Sequence, residues 1–250
     1  MLKWFKRKLI GINSLLARCI PVEYLQKSAL GNWKRFWKEW NPDELFPDTV
    51  KMYQTFIDRH FLTTLKPESQ VLDLGCAEGV DSIAAAKKCR HVYGIDISPA
   101  FLKAGEENTV KAGINNVTFL ERNILEWCQH PDGIPDIERR IAGQLGDSEW
   151  SISHIILDWF FQYIFDDKDL MRILNVCYDI LPSDGICLLK DSLASGDSRE
   201  LFSAANGYMA VYRTPDECRR MLKDAGFAIV EENHLSFDKH SHYIFLLRKL

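Results

Sequence analysis

Val71-Leu72-Asp73-Leu74-Gly75-Cys76-Ala77-Glu78-Gly79 decides the fold of this 250-residue chain. Its first four residues read as a buried parallel strand. The glycines that follow mark a turn where backbone can approach a ligand closely. Asp81-Ser82-Ile83-Ala84-Ala85-Ala86-Lys87-Lys88 predicts the helix behind that turn. Farther on, Gly94-Ile95-Asp96-Ile97-Ser98 is a second apolar strand that ends in a carboxylate. An ionised carboxylate is acceptor-only, which suits the two hydroxyls of a ribose. Together the two segments predict a nucleoside lying across the carboxyl ends of two adjacent parallel strands.

Glycine spacing decides which nucleoside. A dinucleotide fingerprint requires G-x-G-x-x-G, with the helix N-terminus aimed at pyrophosphate. Here Gly75-x-Ala77-x-Gly79-Val80 lacks the third glycine, and Asp73 and Glu78 would repel a pyrophosphate. Acids at that turn suit a cationic ligand. The D-x-G-x-x-x-G string, with an acid about twenty residues on, resembles motifs I and II of the class I S-adenosylmethionine (SAM) methyltransferases; Ala77 stands where the family usually has its middle glycine. Further landmarks follow in family order. Glu121-Arg122-Asn123-Ile124 resembles the third-strand segment that holds adenine, with Asn123 where many members carry Asp. Leu157-Asp158-Trp159-Phe160-Phe161-Gln162-Tyr163 resembles motif IV, beside the transferable methyl. Ile180 to Asp191 is similar to the family's "L-x-P-G-G" turn and fifth strand, and Tyr212 to Phe227 to its closing helix and strand. The resemblance implies SAM as cofactor, held by Asp73, Gly75, Ala77, Gly79, Asp96, Ile97, Asn123, Ile124 and Asp158.

Working outward, the core alternates strand and helix, the pattern of a parallel sheet with helices on both faces. Strands are predicted near 70–75, 91–96, 117–121, 153–158, 186–191, 227–232 and 242–248. Helices are predicted near 80–89, 99–113, 168–181 and 215–225, with a further one over 48–65. The fold class is α/β, a Rossmann-like seven-stranded, mostly parallel sheet; the resemblance adds that the last strand inserts antiparallel. Two connections at carboxyl-end strand tips are long, 128–150 and 192–213, with helical potential at 137–145 and 198–202. The resemblance covers roughly Asp48 to Leu250, so the chain divides into residues 48–250, the methyltransferase domain, and residues 1–47, a basic, aromatic-rich helical extension.

In that extension, residues 1–28 read as a helix. Leu2, Phe5, Leu9, Ile12 and Leu16 form one apolar face, and Lys3, Lys6, Arg7, Lys8 and Arg18 fall within the first eighteen residues. Such a helix suits an anionic membrane surface. The alternative is a cap packed on the domain or on a second subunit, which leaves a homodimer open. The net charge of −4 gives no general bias toward nucleic acid, and none is expected as a partner. Seven scattered cysteines without a C-x-x-C pair point to a reduced, cytoplasmic setting, peripheral on the membrane's inner face if the helix binds there.

For chemistry, Asp191 at the tip of the fifth strand is the first candidate base, Asp158 the second and His234 the third. Each has a structural alternative: turn hydrogen bonding for Asp191, backbone amides for Asp158, an exposed loop for His234. Trp159 and Tyr163 are candidate walls of an acceptor pocket, Tyr208, Tyr212 and Arg213 candidate ligands for an anionic group or, for Arg213, a salt bridge. His240-x-His242 lacks a third ligand, and no metal site is expected. The acceptor is expected to be a small molecule, saccharide or peptide. Two readings of it stand: a hydroxyl of a membrane-proximal sugar or glycan, as in the glycan O-methyltransferases, or a peptide or small-molecule amine. The second rests on a likeness to the protein α-N-terminal methyltransferases that Ser192 weakens, where those carry Asn. A SAM-binding partner subunit without activity is the reading of another class.

Overall fold

The computed structural model describes residues 47–129, 151–203, 209–236 and 240–250. Residues 1–46 of the 1–47 extension, the predicted helix at 137–145 and Tyr208 lie outside them. The described elements run α1 (Pro47–Phe56), β1 (Gln70–Leu74), α2 (Val80–Ala86), β2 (His91–Asp96), α3 (Pro99–Lys111), β3 (Val117–Glu121), α4 (Ile124–Gln129) and β4 (Ile152–Asp158). They continue with α5 (Asp167–Ile180), β5 (Ile186–Ala194), β6 (Glu200–Ser203), β7 (Met209–Tyr212), α6 (Pro215–Asp224), β8 (Phe227–Ser236) and β9 (His240–Lys249). No helix among the described residues is long and apolar enough to cross a membrane.

Seven strands form one sheet in the order β3-β2-β1-β4-β5-β9-β8. β3 to β5 pair in parallel, and β9 runs antiparallel between β5 and β8. Because side chains alternate across a strand, each central strand feeds two cores. Leu72, Leu74, Ile155, Leu157, Cys187 and Leu189 pack with α4, α5 and α6. Val71, Ile156, Ile186 and Leu188 pack with α1 and α2 on the opposite face. The order reverses between β1 and β4, and their carboxyl ends open the crevice where such sheets bind ligands.

Local signals explain the element ends. Ser98 caps α3 ahead of Pro99, Asp166 caps α5, and Thr214 with Glu217 forms a reciprocal capping box on α6. Two readings change, and one element is new. The predicted helix over 48–65 narrows to α1 plus one wide turn, Ile57–Phe61, closed by Leu62 N–H donating to Ile57 O; that turn buries both Ile57 and Phe61. Residues 198–202 do not form a helix, since β6 pairs with β7 in a separate two-stranded ladder, and Phe202 packs beside Ala194, Ala210 and Tyr212. Finally, α4 had no sequence prediction.

Candidate active site

The turn after β1 holds three residues in the left-handed region: Gly75 (φ 78°), Ala77 (φ 45°) and Gly79 (φ 77°). For Ala77 this costs about 1–2 kcal/mol, offset by its N–H donating to Asp96 Oδ2 at 3.1 Å. Ser98 N–H donates to Asp96 Oδ1 at 2.8 Å. The acid at the tip of β2 is thereby fastened to the glycine turn. Burial raises its pKa, opposed by the amides of Ser98, Ala77 and Ile97. A carboxylate offers about four lone-pair sites, so beyond these three amides Asp96 keeps acceptor capacity for a ribose hydroxyl.

The two motif glycines do different work. A Cβ on Gly79 would come within 2.7 Å of the Phe119 ring, as would one on Gly94 or Gly105 at 2.8 Å. Three glycines from three elements thus make the slot for one aromatic ring, and Gly79 serves packing. A Cβ on Gly75 would meet only Phe160 at 3.5 Å and Asp158 O at 3.6 Å, which places Gly75 between the tips of β1 and β4. Ile97 is half-buried after β2. Asn123 begins α4, accepting from Leu125 N–H at 3.1 Å and donating to Glu126 at 2.8 Å; Ile124 is buried in the core.

A charged cluster lies on the α1/α2 face of the sheet. Asp158 and Lys190 are direct register partners, Asp73 is on the neighbouring strand β1, and Asp81 enters from the first turn of α2. Lys190 Nζ pairs with Asp81 Oδ2 and, at 2.8 Å, with Asp158 Oδ2. It also sits 5.3 Å from the centre of the Tyr53 ring on α1. Ser82 donates to Asp73 Oδ2 at 2.5 Å. Asp73 Oδ1 and Asp158 Oδ1 are buried without a hydrogen-bond partner among the described residues. Burial pushes the Asp158 carboxyl up to about 7, against the pull of Lys190 and with help from Asp81. Burial alone would lower the Lys190 pKa, but Asp158 and Asp81 together hold it above the ordinary lysine value. Asp73 is raised well above the usual range by burial and then by Asp81.

Next to Asp158, Trp159 adopts φ 43°, a rare conformation for a bulky residue. Its N–H donates to Lys190 O at 2.8 Å, extending the β4–β5 ladder. Its ring meets Tyr53 edge-on at 5.5 Å and His242 at 5.8 Å. Burial lowers the His242 pKa to about 3, so that imidazole is neutral near pH 7.

The opposite face receives Asp191, which is 0% exposed. It accepts from Ser192 N–H at 2.7 Å and from Gln162 N–H at 3.2 Å, tying the 3-10 turn Phe161–Tyr163 to β5. Burial pushes this carboxyl up to about 7 as well, opposed by those amides. The geometry is that of a turn-holding acid. Arg213, expected either to face an acceptor's anionic group or to form a salt bridge, takes the second role at 1% exposure. Its guanidinium donates to Phe161 O, Ile164 O and Asp167 at 2.6–3.0 Å, because a buried arginine must satisfy all of its donors locally. Tyr212 is buried, stacked on His240 at 5.2 Å, and Tyr163 is half-buried in the 3-10 turn. His234 is exposed and stacks on Tyr243; its strand is four places from β1, about 19 Å at ordinary strand spacing. The structure therefore groups Asp73, Asp96, Asp158 and Trp159 and sets Asp191, Arg213, Tyr212 and His234 apart from them. Lys190, Asp81 and Tyr53 are the members that sequence reasoning missed. A lysine inside an otherwise apolar strand was the available signal, since a fully buried lysine requires a partner.

A family model described as a methyltransferase domain matches residues 65–226. Among solved structures, a SAM-dependent methyltransferase of Methanosarcina mazei superposes with a TM-score of 0.58 at 17% identity, covering 75% of this chain and 95% of that one. The N-methyltransferase NodS of Bradyrhizobium japonicum, in complex with S-adenosyl-L-homocysteine, gives 0.60 at 15% identity, covering 89% and 98%. At these identities the likeness is one of fold. A 23S rRNA (uracil(1939)-C(5))-methyltransferase of Klebsiella pneumoniae is 38% identical over 72 residues, 26% of this chain. The chain spans about a sixth of the length of that curated relative.

The residues present fit SAM. Carboxylates stand at the tips of β2 and β4 on either side of the glycine turn, and the cluster's one lysine is already bound by Asp81 and Asp158. That donor set favours a ribose and a cationic sulfonium and disfavours pyrophosphate. Asp96 and the turn would hold the nucleoside, with Asp158 facing the methyl-bearing end.

Proposed function

The chain belongs to the SAM-dependent methyltransferases, and from that premise we propose that it methylates a hydroxyl of a sugar, glycan or related small molecule, with Asp158 taking the proton. One observation carries the reading: Asp158 Oδ1 is a buried acceptor without a partner among the described residues, beside a second oxygen fixed by Lys190. A hydroxyl is the group that both fills such an acceptor and gives up a proton to it. A general base works best when its pKa lies near the operating pH, and the Asp158 carboxyl stands at about 7. Bound SAM supplies an electrophilic methyl on a sulfonium. The protein's own share is to orient the acceptor oxygen, receive its proton on Asp158 and keep water out with Trp159 and Tyr53. In this reading Asp191 and Arg213 position the Phe161–Tyr163 turn.

An amine acceptor is the second reading, favoured by three acids (Asp73, Asp81, Asp158) around one lysine, a surplus of acceptor oxygens for the N–H donors of an amine. NodS is an N-methyltransferase by its title, and the rRNA relative keeps nucleic acid among the acceptor classes. The basic face predicted for residues 1–28 supports a membrane-proximal acceptor on the cytoplasmic side. The test offers labelled SAM to saccharides, peptides and amines, and RNA. Label in the saccharide pool, lost in Asp158→Asn at every pH, is the expected result. Label confined to amines or RNA overturns the acceptor, and SAM binding without any transfer would mean a partner subunit. Full-length protein should co-sediment with anionic vesicles and release in high salt; a chain without residues 1–28 that still binds them removes the membrane element.

A further inference from the structure

Lys190 is one ammonium divided between two carboxylates that come from opposite sides of the cofactor turn. Asp158 reaches it from the adjacent strand and Asp81 from the first turn of α2. The lysine is 4% exposed, so its charge is matched by these two acids and by the Tyr53 ring. We infer that Lys190 is a positioning residue: its division between Asp81 and Asp158 fixes which Asp158 oxygen remains for the acceptor and sets how readily that oxygen takes a proton.

This inference rests on the reading of Asp158 as the base. A lysine committed to Asp158 alone would hold the acid ionised and make it a weak base, since an opposite charge at that distance favours the charged form. A buried Asp158 without any lysine would stay protonated and could take no proton from the acceptor. Asp81 competes for the same Nζ and keeps the balance between those limits. The groups facing Asp158 are Lys190 from β5, Asp81 from α2, Asp73 from β1 and Tyr53 from α1, with His242 of β9 behind the Trp159 ring. Tyr53 is held above its ordinary value by burial and then by Asp158 and Asp191, and so stays a neutral phenol. His242 is neutral above about 3. Asp73 is the remaining group that can exchange protons with the cluster, and it is hydrogen-bonded by Ser82 rather than by Lys190.

The experiment is an NMR titration of labelled aspartate carboxyl carbons in the full chain saturated with S-adenosyl-L-homocysteine. Loss of one resonance in Asp158→Asn assigns the signal, and no methyl acceptor is needed. The wild-type signal should titrate near 7. Lys190→Met should move that midpoint up by about 1–3 pH units, and Asp81→Asn should move it down by about one. Opposite movements are the signature: Asp81→Asn removes a like charge beside Asp158, whereas a lysine that only held the fold would leave the midpoint in place when replaced by Met. Asp81→Asn keeps the side-chain shape and carries the test if Lys190→Met does not fold. Midpoints that stay put, or move in the same direction, overturn the inference. Opposite movements together with full methyl transfer by Asp158→Asn would leave the coupling standing and remove the base reading instead.

Discussion

Gly105 lies inside α3, where alanine should be the better residue by about 1 kcal/mol. The structure predicts the reverse. A Cβ at 105 would stand 2.8 Å from Phe119 Cζ, with two more ring carbons at 3.1 and 3.2 Å. Overpacking of that kind costs about 1–3 kcal/mol, so Gly105→Ala should destabilise the protein by about 0–2 kcal/mol. In a Phe119→Ala background the obstacle is gone. The same substitution should then stabilise by about 1 kcal/mol, a coupling of about 1–3 kcal/mol between the two sites. Gly79 gives the control. Its φ of 77° penalises alanine by about 1–2 kcal/mol whatever surrounds it, so Gly79→Ala should remain destabilising in both backgrounds while losing its steric part. Urea unfolding followed by circular dichroism, run on the four members of each cycle, measures these differences. An unchanged cost of Gly105→Ala on removal of the Phe119 ring would refute the slot.

Asp96→Ala should weaken SAM binding by about 1.5–3 kcal/mol, the range for lost hydrogen bonds to a charged group; calorimetry showing unchanged affinity sinks the role of Asp96. Stability should also depend on pH through Asp191. Its folded-state pKa of about 7 stands above the ordinary 3.8, so the folded protein holds a proton that the unfolded chain releases. Its stabilising share is complete below about 4 and is lost as pH rises toward 7, to a ceiling of about 4 kcal/mol. Urea midpoints at several pH values should therefore fall less steeply in Asp191→Asn than in wild type, and parallel curves would show that the acid does not titrate in this window.

The fold was legible because buried parallel strands leave continuous apolar runs, and because turns such as Gly75 to Gly79 need residues that few other positions tolerate. The β6–β7 ladder was not, since four-residue strands carry too little periodicity to outweigh the helical look of Ser198 to Phe202. The site divides along the same line. Asp73 and Asp96 stand at strand ends next to glycines, where position alone suggests a role. Asp191 and Arg213 are charged residues at similar places, yet they lie on the opposite face and spend their polar atoms on the backbone of residues 161–164, on Ser192 N–H and on Asp167. One residue of strand register separates Lys190 from Asp191, and composition cannot show which of the two meets the cleft. Lys190 and Asp81 are 109 positions apart, so no local pattern joins them.

The place of β9 between β5 and β8 has a consequence for the order in which the sheet is assembled. As the chain is synthesised, β5 is complete well before its outer neighbour exists. Its backbone edge, on a strand buried along its whole length in the finished protein, waits exposed while α6 and β8 are made. β8 has no partner in the sheet until β9 follows it, and the two then form a hairpin across a short connection. The β5 edge is covered only when β9 of that hairpin pairs with it. Until it does, the nascent domain displays an apolar, unpaired strand of the kind that templates association between chains. Slow translation or a lesion in the hairpin should therefore appear as aggregation during expression, even where the finished protein is stable.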